Sequence, residues 1–193
     1  FQPYYLPYYR EIMAEADPPL RIRAYHAAAR DGATVVPPGA GDDHFAVIGV
    51  KIIADGSPFV GNIWVSRPYL NTEVTLKGMS LPPDNTGHAS YAADELQDLI
   101  YAYAGQGWQM AVHTQGDRTI DMVLDCYERA LEKHPRRDHR FRLEHCALAR
   151  PDQIARAQRL GVVCSFFLTH LYYWGEALRD QMFGAEVADG YMP

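Results

Sequence analysis

Several features are scarce in this sequence, and each absence narrows the class of protein. No apolar run approaches the roughly 20 residues that a membrane helix requires, so we expect no membrane partner. The net charge of -6 provides no basic surface, which argues against a nucleic-acid partner. The glycine patterns of serine-hydrolase elbows, P-loops and dinucleotide-binding turns do not occur, so those chemistries have no support.

Cysteine is also rare, since only Cys126, Cys146 and Cys164 occur. An odd count without a CxxC pair argues against a disulfide framework and against a zinc site made of thiolates. Free thiols are typical of a reducing compartment, so we expect a cytoplasmic location. The chain begins at Phe1 rather than Met, so we expect an excerpt, and these residues say nothing about a signal peptide in the parent protein.

The residues that are present describe one ordinary domain of alternating strands and helices. The chain has 193 residues, of which 48% are hydrophobic and 22% charged. Helical patterns follow strand-like runs, with Ser90 as a predicted N-cap before the first of the long helices. The strand-like runs cover 20–25, 46–54, 109–114, 141–146 and 162–167. The helical patterns cover 90–107, 117–134 and 149–161, and a first helix is predicted over 4–19, where Pro18 and Pro19 end it.

This alternation predicts an α/β fold with a parallel sheet and helices outside it. Both a doubly wound sheet and a (β/α)8 barrel fit the pattern. A full barrel has eight strands and about 250 residues, more than this chain supplies. Composition and periodicity therefore leave the two architectures open.

One connection, residues 55–89, is unusually long and shows little periodicity. It is rich in glycine, proline and aromatic residues, and it leaves the C-terminal end of a predicted strand. Loops of this length are uncommon unless they are functional, and ligands bind at that end of parallel strands. A substrate-facing loop remains open, and so does a plain surface excursion or a small extra hairpin.

Polar side chains with catalytic potential gather at three predicted strand ends. Lys51 lies inside an apolar strand with Asp55 just beyond it, His113 ends the next strand, and Glu144 and His145 end the one after. A lone histidine in a strand is usually structural. Neighbouring strands lie about 4.8 Å apart, so two histidines on successive parallel strands can instead share one metal ion. Both readings stay open at this point.

Three side chains at or near these strand ends have other expected roles. Asp117 either caps the helix that follows or orients a ligand histidine from outside the ligand set. Strand alternation turns Glu144 to the side opposite His145, where we expect a structural carboxylate paired with an arginine. His170 follows the last strand closely among aromatic residues, so it is a candidate for facing the same cavity.

Several segments, taken in order, resemble a known family, the metal-dependent amidohydrolase superfamily. The nearest pattern is its amidohydrolase 3 or YtcJ-like branch, and "THLYYWGE" resembles proteins described as exoenzyme regulatory protein-like. The likeness runs from about residue 46 onward. It rests on "GVKIIADGS", Pro68-Tyr69, "GWQMAVHTQGDRTIDMVLDCYERA", "FRLEHC", "PDQIARAQRLGVVCSF" and "THLYYWG".

The resemblance implies a (β/α)8 barrel with one or two divalent ions, expected to be zinc, at the strand ends. His113 matches the family's strand-5 histidine, His145 its strand-6 histidine and Lys51 its strand-4 lysine. In dimetal members that lysine is carbamylated and bridges the ions. Asp117 and Asp55 are expected outside the ligand set, and His170 is expected to face substrate. The implied reaction is hydrolysis of C–N bonds in amide-like or cyclic small molecules.

The departures from the family pattern limit what this chain can do alone. The family also uses an HxH pair on strand 1 and a catalytic aspartate on strand 8, and neither motif occurs here. We therefore expect residues 1–193 to form a single incomplete barrel domain, roughly strands 3 to 7 of the parent. Such a piece should be inactive, should lack the metal or bind it poorly, and should associate through its exposed edges. The alternative is a catalytically silent regulatory or binding protein on the same barrel.

Overall fold

A parallel sheet forms the centre of the molecule. The computed structural model describes residues 2–14 and 20–193. A two-residue strand β2 (Ala40–Gly41), which the sequence did not predict, pairs antiparallel with β3. The five predicted strands are present and parallel. In spatial order they are β1 (Ile22–Ala27), β3 (Phe45–Ile53), β4 (Gln109–Thr114), β5 (Arg142–His145) and β6 (Val163–Phe166).

Helices alternate with these strands as the sequence predicts. The first helix was expected to stop at Pro18 and Pro19, but these two residues lie outside the described part of the chain. Short 3₁₀ helices occur at Pro3–Tyr5 and Pro58–Val60, and π-helical segments occur at Val74–Gly78 and Leu178–Phe183. The α-helices are α1 (Leu6–Ala14), α2 (Ala93–Gly105), α3 (Asp117–Lys133), α4 (Pro151–Leu160), α5 (Thr169–Ala177) and α6 (Ala185–Ala188).

Local chemistry explains where two of the helices begin and end. Pro151 occupies the first turn of α4, where its missing N–H is not needed, and Gly161 ends the helix with a left-handed φ of 72°. The prediction that Ser90 caps α2 is wrong. The N-cap is Ala92, whose N–H donates to the Glu95 carboxylate at 3.1 Å, so a side chain inside the first turn replaces the expected cap.

The sheet has two faces of opposite character. One face, here called the helix-covered face, carries Val50, Ile52, Met110, Val112 and Leu143, each at most 1% exposed. These side chains share one core with apolar residues of α2 and α3. The burial removes apolar surface from water and accounts for most of the stability of the sheet.

The opposite face, here called the polar face, carries five half-buried polar side chains. Gln109 Nε2 donates to the Tyr25 hydroxyl at 2.6 Å, and Arg142 Nε donates to Glu144 Oε1 at the same distance. The field of the Glu144 carboxylate on β5 reaches Lys51 on β3, across the intervening strand β4. The polar face is thus made of Tyr25, Lys51, Gln109, Arg142 and Glu144.

The long connection 55–89 is an ordered layer with its own small core. Ile63, Val65 and Tyr69 are at most 2% exposed and pack with buried side chains near the end of the chain, among them Leu178 and Met182. This segment therefore joins the region after β3 to the region after β6, at the same edge of the sheet.

The observed architecture is a mixed α/β fold whose parallel strands alternate with helices, consistent with part of a (β/α)8 barrel. The prediction of fold class is confirmed. β1 and β6 lie at the two ends of the strand order. Among the described residues, no helix combines the length and the apolar character that crossing a bilayer requires.

Candidate metal centre

His113 lies where β4 ends, and its ring is held in one orientation. Its Nε2 lies 2.6 Å from the carbonyl oxygen of Gly56, at the start of the long connection. A carbonyl oxygen only accepts hydrogen bonds, so Nε2 carries the proton and donates it. The other ring nitrogen, Nδ1, therefore keeps its lone pair. A histidine that binds a metal is usually oriented in this way, by a hydrogen bond from its second nitrogen.

His145 meets His113 at the neighbouring strand end. The two ring centroids are 4.5 Å apart in an edge-on arrangement. His145 has a φ of 76° and Cys146 a φ of 49°, so the backbone enters the left-handed region just as the strand stops. This turn of the backbone directs the His145 ring toward the same edge as His113.

The left-handed backbone also changes how His145 lies relative to Glu144. Alternation along a regular strand would place the two side chains on opposite sides, yet the His145 ring contacts His113, which pairs in register with Glu144, and the Glu144 carboxylate acts on the pKa of His145. The predicted pairing of Glu144 with an arginine is confirmed, since Arg142 donates to it at 2.6 Å. Glu144 thus belongs to the polar face just below the two histidines.

Burial keeps both imidazoles neutral. Desolvation, with the fields of His113 and Lys51 next, lowers the pKa of His145 to about 4. Desolvation also lowers the pKa of His113, although its bond to the Gly56 carbonyl acts in the opposite direction. A neutral ring offers a lone pair at pH 7, which is the form that binds a divalent cation.

Lys51 lies below the histidines on the polar face. Its pKa is lowered, first by desolvation, while the Glu144 carboxylate opposes that change. The Lys51 charge in turn lowers the pKa of both histidines, so its amine lies within their electrostatic reach. The structure therefore places the His113 and His145 rings in contact and Lys51 within their electrostatic reach.

Asp55 fastens the turn that follows His113. One of its oxygens accepts the Gln115 N–H at 3.0 Å, and the other accepts the Gly116 N–H at 2.8 Å. The side chain is fully buried, and this burial raises its pKa to about 6 against the opposing effect of the backbone bonds. Its nearest oxygen is 3.7 Å from His113 Nε2. Asp55 thus fixes the backbone beside His113.

Gly116 explains why the sequence has glycine in this turn. A Cβ at this position would lie 2.0 Å from the carbonyl oxygen of Trp64 in the long connection. Any other residue would force the turn and the long connection apart. The turn is thus clamped between Asp55 on one side and Trp64 on the other.

Asp117 begins α3 but does not cap it, so that interpretation is wrong. The N-cap position belongs to Gly116. One Asp117 oxygen accepts the Ser66 N–H at 2.8 Å, and the other accepts a bond from Arg150 at 3.2 Å. Asp117 therefore ties α3 to the long connection and to the start of α4. Its role in orienting a ligand histidine stays a prediction.

His170 lies at the same edge, in α5. Its Nδ1 is 3.3 Å from the Tyr191 hydroxyl, and its ring contacts Phe167 and Phe59 edge-on with centroids 4.6 and 4.9 Å away. The charge of His170 is one of the influences on the pKa of His145. The structure therefore places His170 beside the histidine pair, one aromatic ring removed.

A model of the amidohydrolase family matches residues 2–193. The chain belongs to the amidohydrolase family. Its branch is amidohydrolase 3, as the sequence motifs indicated. The YtcJ-like and exoenzyme regulatory protein-like subgroups stay predictions.

Two curated proteins and two solved structures are similar to this family member. It is 32% identical over 123 residues to Protein LONG AFTER FAR-RED 3 of Arabidopsis thaliana, covering 64% of this chain and 19% of that protein. It is 33% identical over 92 residues to an N-substituted formamide deformylase of Arthrobacter pascens, covering 48% of this chain and 17% of that protein. The chain thus matches about a fifth of the length of these relatives.

The structures are crystal structures of uncharacterized metal-dependent hydrolases from Pyrococcus furiosus and Pyrococcus horikoshii OT3. Each has a TM-score of 0.76 over 98% of this chain, with 22% and 21% sequence identity. The chain covers 37% and 36% of their lengths. At this level of identity the likeness shows the fold alone.

The residues present fit part of a metal site. The free Nδ1 of His113 and the neutral ring of His145 supply nitrogen ligands of the kind that divalent zinc binds. In the ranges that the structure describes, no group of three His, Cys, Asp or Glu side chains is placed to hold an ion. Among the described residues, the groups suited to a metal at this edge are thus the two imidazoles, with Lys51 within electrostatic reach.

Sequence reasoning missed the partners that orient these residues. The Gly56 carbonyl is a backbone group, so its residue type gave no signal for the bond to His113. Phe59 reaches the ring of His170 from a distant part of the chain. Only the aromatic character of the long connection pointed toward such a contact, and it did not identify the residue.

Proposed function

We propose that the protein carrying this chain is a metal-dependent hydrolase that cleaves C–N bonds in amide-like or cyclic small molecules. The observation that carries the proposal is the pair of neutral imidazoles, 4.5 Å apart, at the ends of two adjacent parallel strands. Family membership supports it, as does the similarity to an N-substituted formamide deformylase.

In this proposal His113, through Nδ1, and His145 would hold a divalent ion, zinc by preference. The Gly56 carbonyl holds the first ring, and the left-handed backbone directs the second. A divalent ion held there would lower the pKa of bound water and would polarise a carbonyl oxygen. Asp55 keeps the turn after His113 in place, and its two backbone bonds make this a positioning role.

Lys51 is proposed as a third ligand after carbamylation, as the family resemblance implies. The neutral amine adds to the carbon of CO₂, and one proton leaves the nitrogen to give an anionic carbamate. The lowered pKa of Lys51 favours the neutral amine that this addition needs. Replacing a half-buried cation with an anionic ligand would also remove the cost of burying the ammonium. A ¹³C carbamate signal after exposure to ¹³C-bicarbonate tests this step, and its loss in Lys51→Ala is the control.

The proton acceptor in the reaction is not among the residues gathered here. The family resemblance assigns it to an aspartate on strand 8, and residues 1–193 are proposed as one incomplete barrel domain. The 193-residue chain alone is therefore expected to be inactive. Pairing through β1 or β6, which lie at the ends of the strand order, would give a homo-oligomer of the isolated chain. A small molecule remains the proposed partner of the natural protein, and the cytoplasm its proposed location.

The test compares the natural protein with a His113→Ala, His145→Ala double variant. Metal content per chain by mass spectrometry should fall from about one or two ions to near zero, and turnover of formamides should fall by at least about a thousandfold. His134→Ala, at the far end of α3, is the matched control and should keep the metal content and the turnover of the unmodified protein. Unchanged metal content and turnover in the double variant would overturn the proposal.

The second candidate is a catalytically silent binding protein on the same barrel. One observation favours it: in the described ranges the ligands that come together fall short of a group of three. This protein would bind small molecules without turnover. A natural protein that takes up zinc only weakly, yet binds formamides with an unchanged affinity in the double histidine variant, would support this second function.

A further inference from the structure

A continuous row of aromatic rings leads away from the histidine pair. The ring of Phe167 lies 5.7 Å from that of His145, and His170 lies 4.6 Å further along. Phe59 follows at 4.9 Å from His170, and Trp174 follows at 5.4 Å from Phe59. These four residues, Phe59, Phe167, His170 and Trp174, are here called the aromatic wall.

The aromatic wall is built from two parts of the chain that meet at one edge of the sheet. Phe59 stands in the 3₁₀ turn Pro58–Val60 just after β3, where Ser57 caps the turn. The other three residues follow β6. Phe167 is 46% and Trp174 is 52% exposed, so both present ring surface that lies open in this structure. Large aromatic surfaces left open beside a reactive site are typical of ligand binding.

The aromatic wall is uncharged, in contrast to the polar face below the histidines. Its one titratable member is His170, which is half-buried and whose pKa is lowered by desolvation. Its Nδ1 faces the Tyr191 hydroxyl rather than a charge. The polar face presents Lys51, Arg142 and Glu144. A molecule bound at the histidine pair therefore meets charge on one side and neutral aromatic surface on the other.

We propose that the aromatic wall binds an apolar, ring-bearing substituent of an amide substrate whose carbonyl group lies at His113 and His145. This inference rests on the function proposed above and narrows its substrate class. The continuity of the rings with His145 carries it, because a substituent leaving the carbonyl in that direction stacks on Phe167 first and on Phe59 and Trp174 beyond. The polar side of the substrate then faces Lys51 and Glu144.

The wall also orients the substrate. An aryl group gains edge-on or offset stacking with each ring that it meets, in addition to the free energy of leaving water. A short alkyl group gains much less because it reaches fewer rings. The structure thus predicts a preference for aryl-substituted amides and a defined direction for the substituent.

The experiment uses two formamides that differ in the substituent, N-phenethylformamide and N-ethylformamide, with the zinc-loaded natural protein. The ratio of kcat/KM for the aryl compound over the ethyl compound should be about 100. Phe167→Ala and Trp174→Ala should each lower that ratio about tenfold, mainly through KM for the aryl compound. Phe167→Leu keeps apolar volume but loses the ring, so its ratio should lie between that of the unmodified protein and that of Phe167→Ala.

The matched control is Tyr172→Ala in the same helix. Tyr172 is 83% exposed and its ring contact is with Tyr173, which is not part of the wall. This variant should keep the ratio of the unmodified protein. Circular dichroism confirms folding for every variant.

Binding measured without turnover separates this inference from the proposed function. Titration of zinc-free protein with N-phenethylformamide should quench tryptophan fluorescence, and the quenching should be largely lost in Trp174→Phe. If neither formamide is hydrolysed but Phe167→Ala still weakens aryl binding, hydrolysis fails and the aromatic wall stands. If both formamides are hydrolysed with equal kcat/KM, in the unmodified protein and in Phe167→Ala alike, the aromatic wall is overturned and hydrolysis stands.

Discussion

The two faces of the central sheet differ in burial and in charge. On the helix-covered face, residues such as Ile52, Val112 and Leu143 are at most 1% exposed and pack in one apolar core with the helices. On the polar face, Lys51 and Glu144 are only half-buried and interact through charge. The same short strands serve both faces because successive side chains alternate.

Along each strand, side chains of one parity build the core and those of the other parity form the polar face, except at the strand ends. Along β5, Arg142 and Glu144 lie on the polar face while Leu143 lies in the core. His145 would follow Leu143 into the core if the strand continued. Its left-handed backbone redirects it instead, so the candidate metal centre lies at the sheet edge, where the alternation stops.

Neighbouring substitutions on β5 provide the largest test of this separation. Leu143→Ala should lower the free energy of unfolding by about 3 kcal/mol, because it leaves a cavity in the core. Glu144→Gln, one residue further, should lower it by less than about 1 kcal/mol, because an amide oxygen can still accept from Arg142. Chemical denaturation at pH 7 measures both values. Equal losses would show that the polar face is as important for folding as the core.

At the edge of the sheet beside His113, substitution of Asp55 should lower the stability of the protein. Asp55→Asn leaves one acceptor oxygen for two backbone donors, the N–H groups of Gln115 and Gly116, in a fully buried place. We expect a loss of about 2 kcal/mol in the free energy of unfolding.

Asp31→Asn is the matched control for Asp55. Asp31 is exposed and accepts a single backbone bond, from Ala33 at 3.0 Å, which the asparagine oxygen can also accept. Its loss should stay below about 0.5 kcal/mol. If Asp55→Asn behaves like Asp31→Asn, the turn after His113 is held by something other than this carboxylate.

The smallest expected effect is a pH dependence of stability in metal-free protein. His145 has a pKa of about 4 in the folded chain against its ordinary 6.5, so the unfolded chain binds the proton more readily between these values. Its contribution is therefore fully present above about pH 6.5 and is lost as the pH falls toward about 4. Asp55, whose pKa is raised by burial, acts in the opposite direction.

The difference between the unmodified protein and His145→Gln isolates the histidine, because Asp55 is common to both. Urea midpoints measured from pH 7 to pH 4.5 should fall more steeply in the unmodified protein. Parallel curves would mean that His145 has the same pKa in the folded and unfolded chains.

Much of the fold follows from patterns that the sequence displays openly. The five parallel strands are short apolar runs that end at polar residues, and the helices between them carry apolar stripes. β2 was missed because a strand of two residues, Ala40–Gly41, is too short to create a period. The N-cap of α2 was misassigned because Glu95 binds the backbone from within the helix, so Ser90 was not needed.

The candidate site was predictable only in its residue types. Two histidines at neighbouring strand ends, His113 and His145, indicated a shared position, and the structure places their rings in contact. The side on which the His145 ring lies was not predictable, because histidine does not by itself encode the left-handed backbone at residue 145. The contacts of Asp117 with Ser66 and Arg150 were hidden for another reason, since both partners are remote along the chain.

The clamp around the turn after His113 has a consequence for how the molecule folds. Asp55 and Gln115 are 60 residues apart in sequence, and Ser66 and Asp117 are 51 apart. Closing such long loops is slow, and it becomes favourable only after β3 and β4 have found each other. We therefore expect the edge of the sheet that carries His113 and His145 to be among the last parts to form, after the core that supports it.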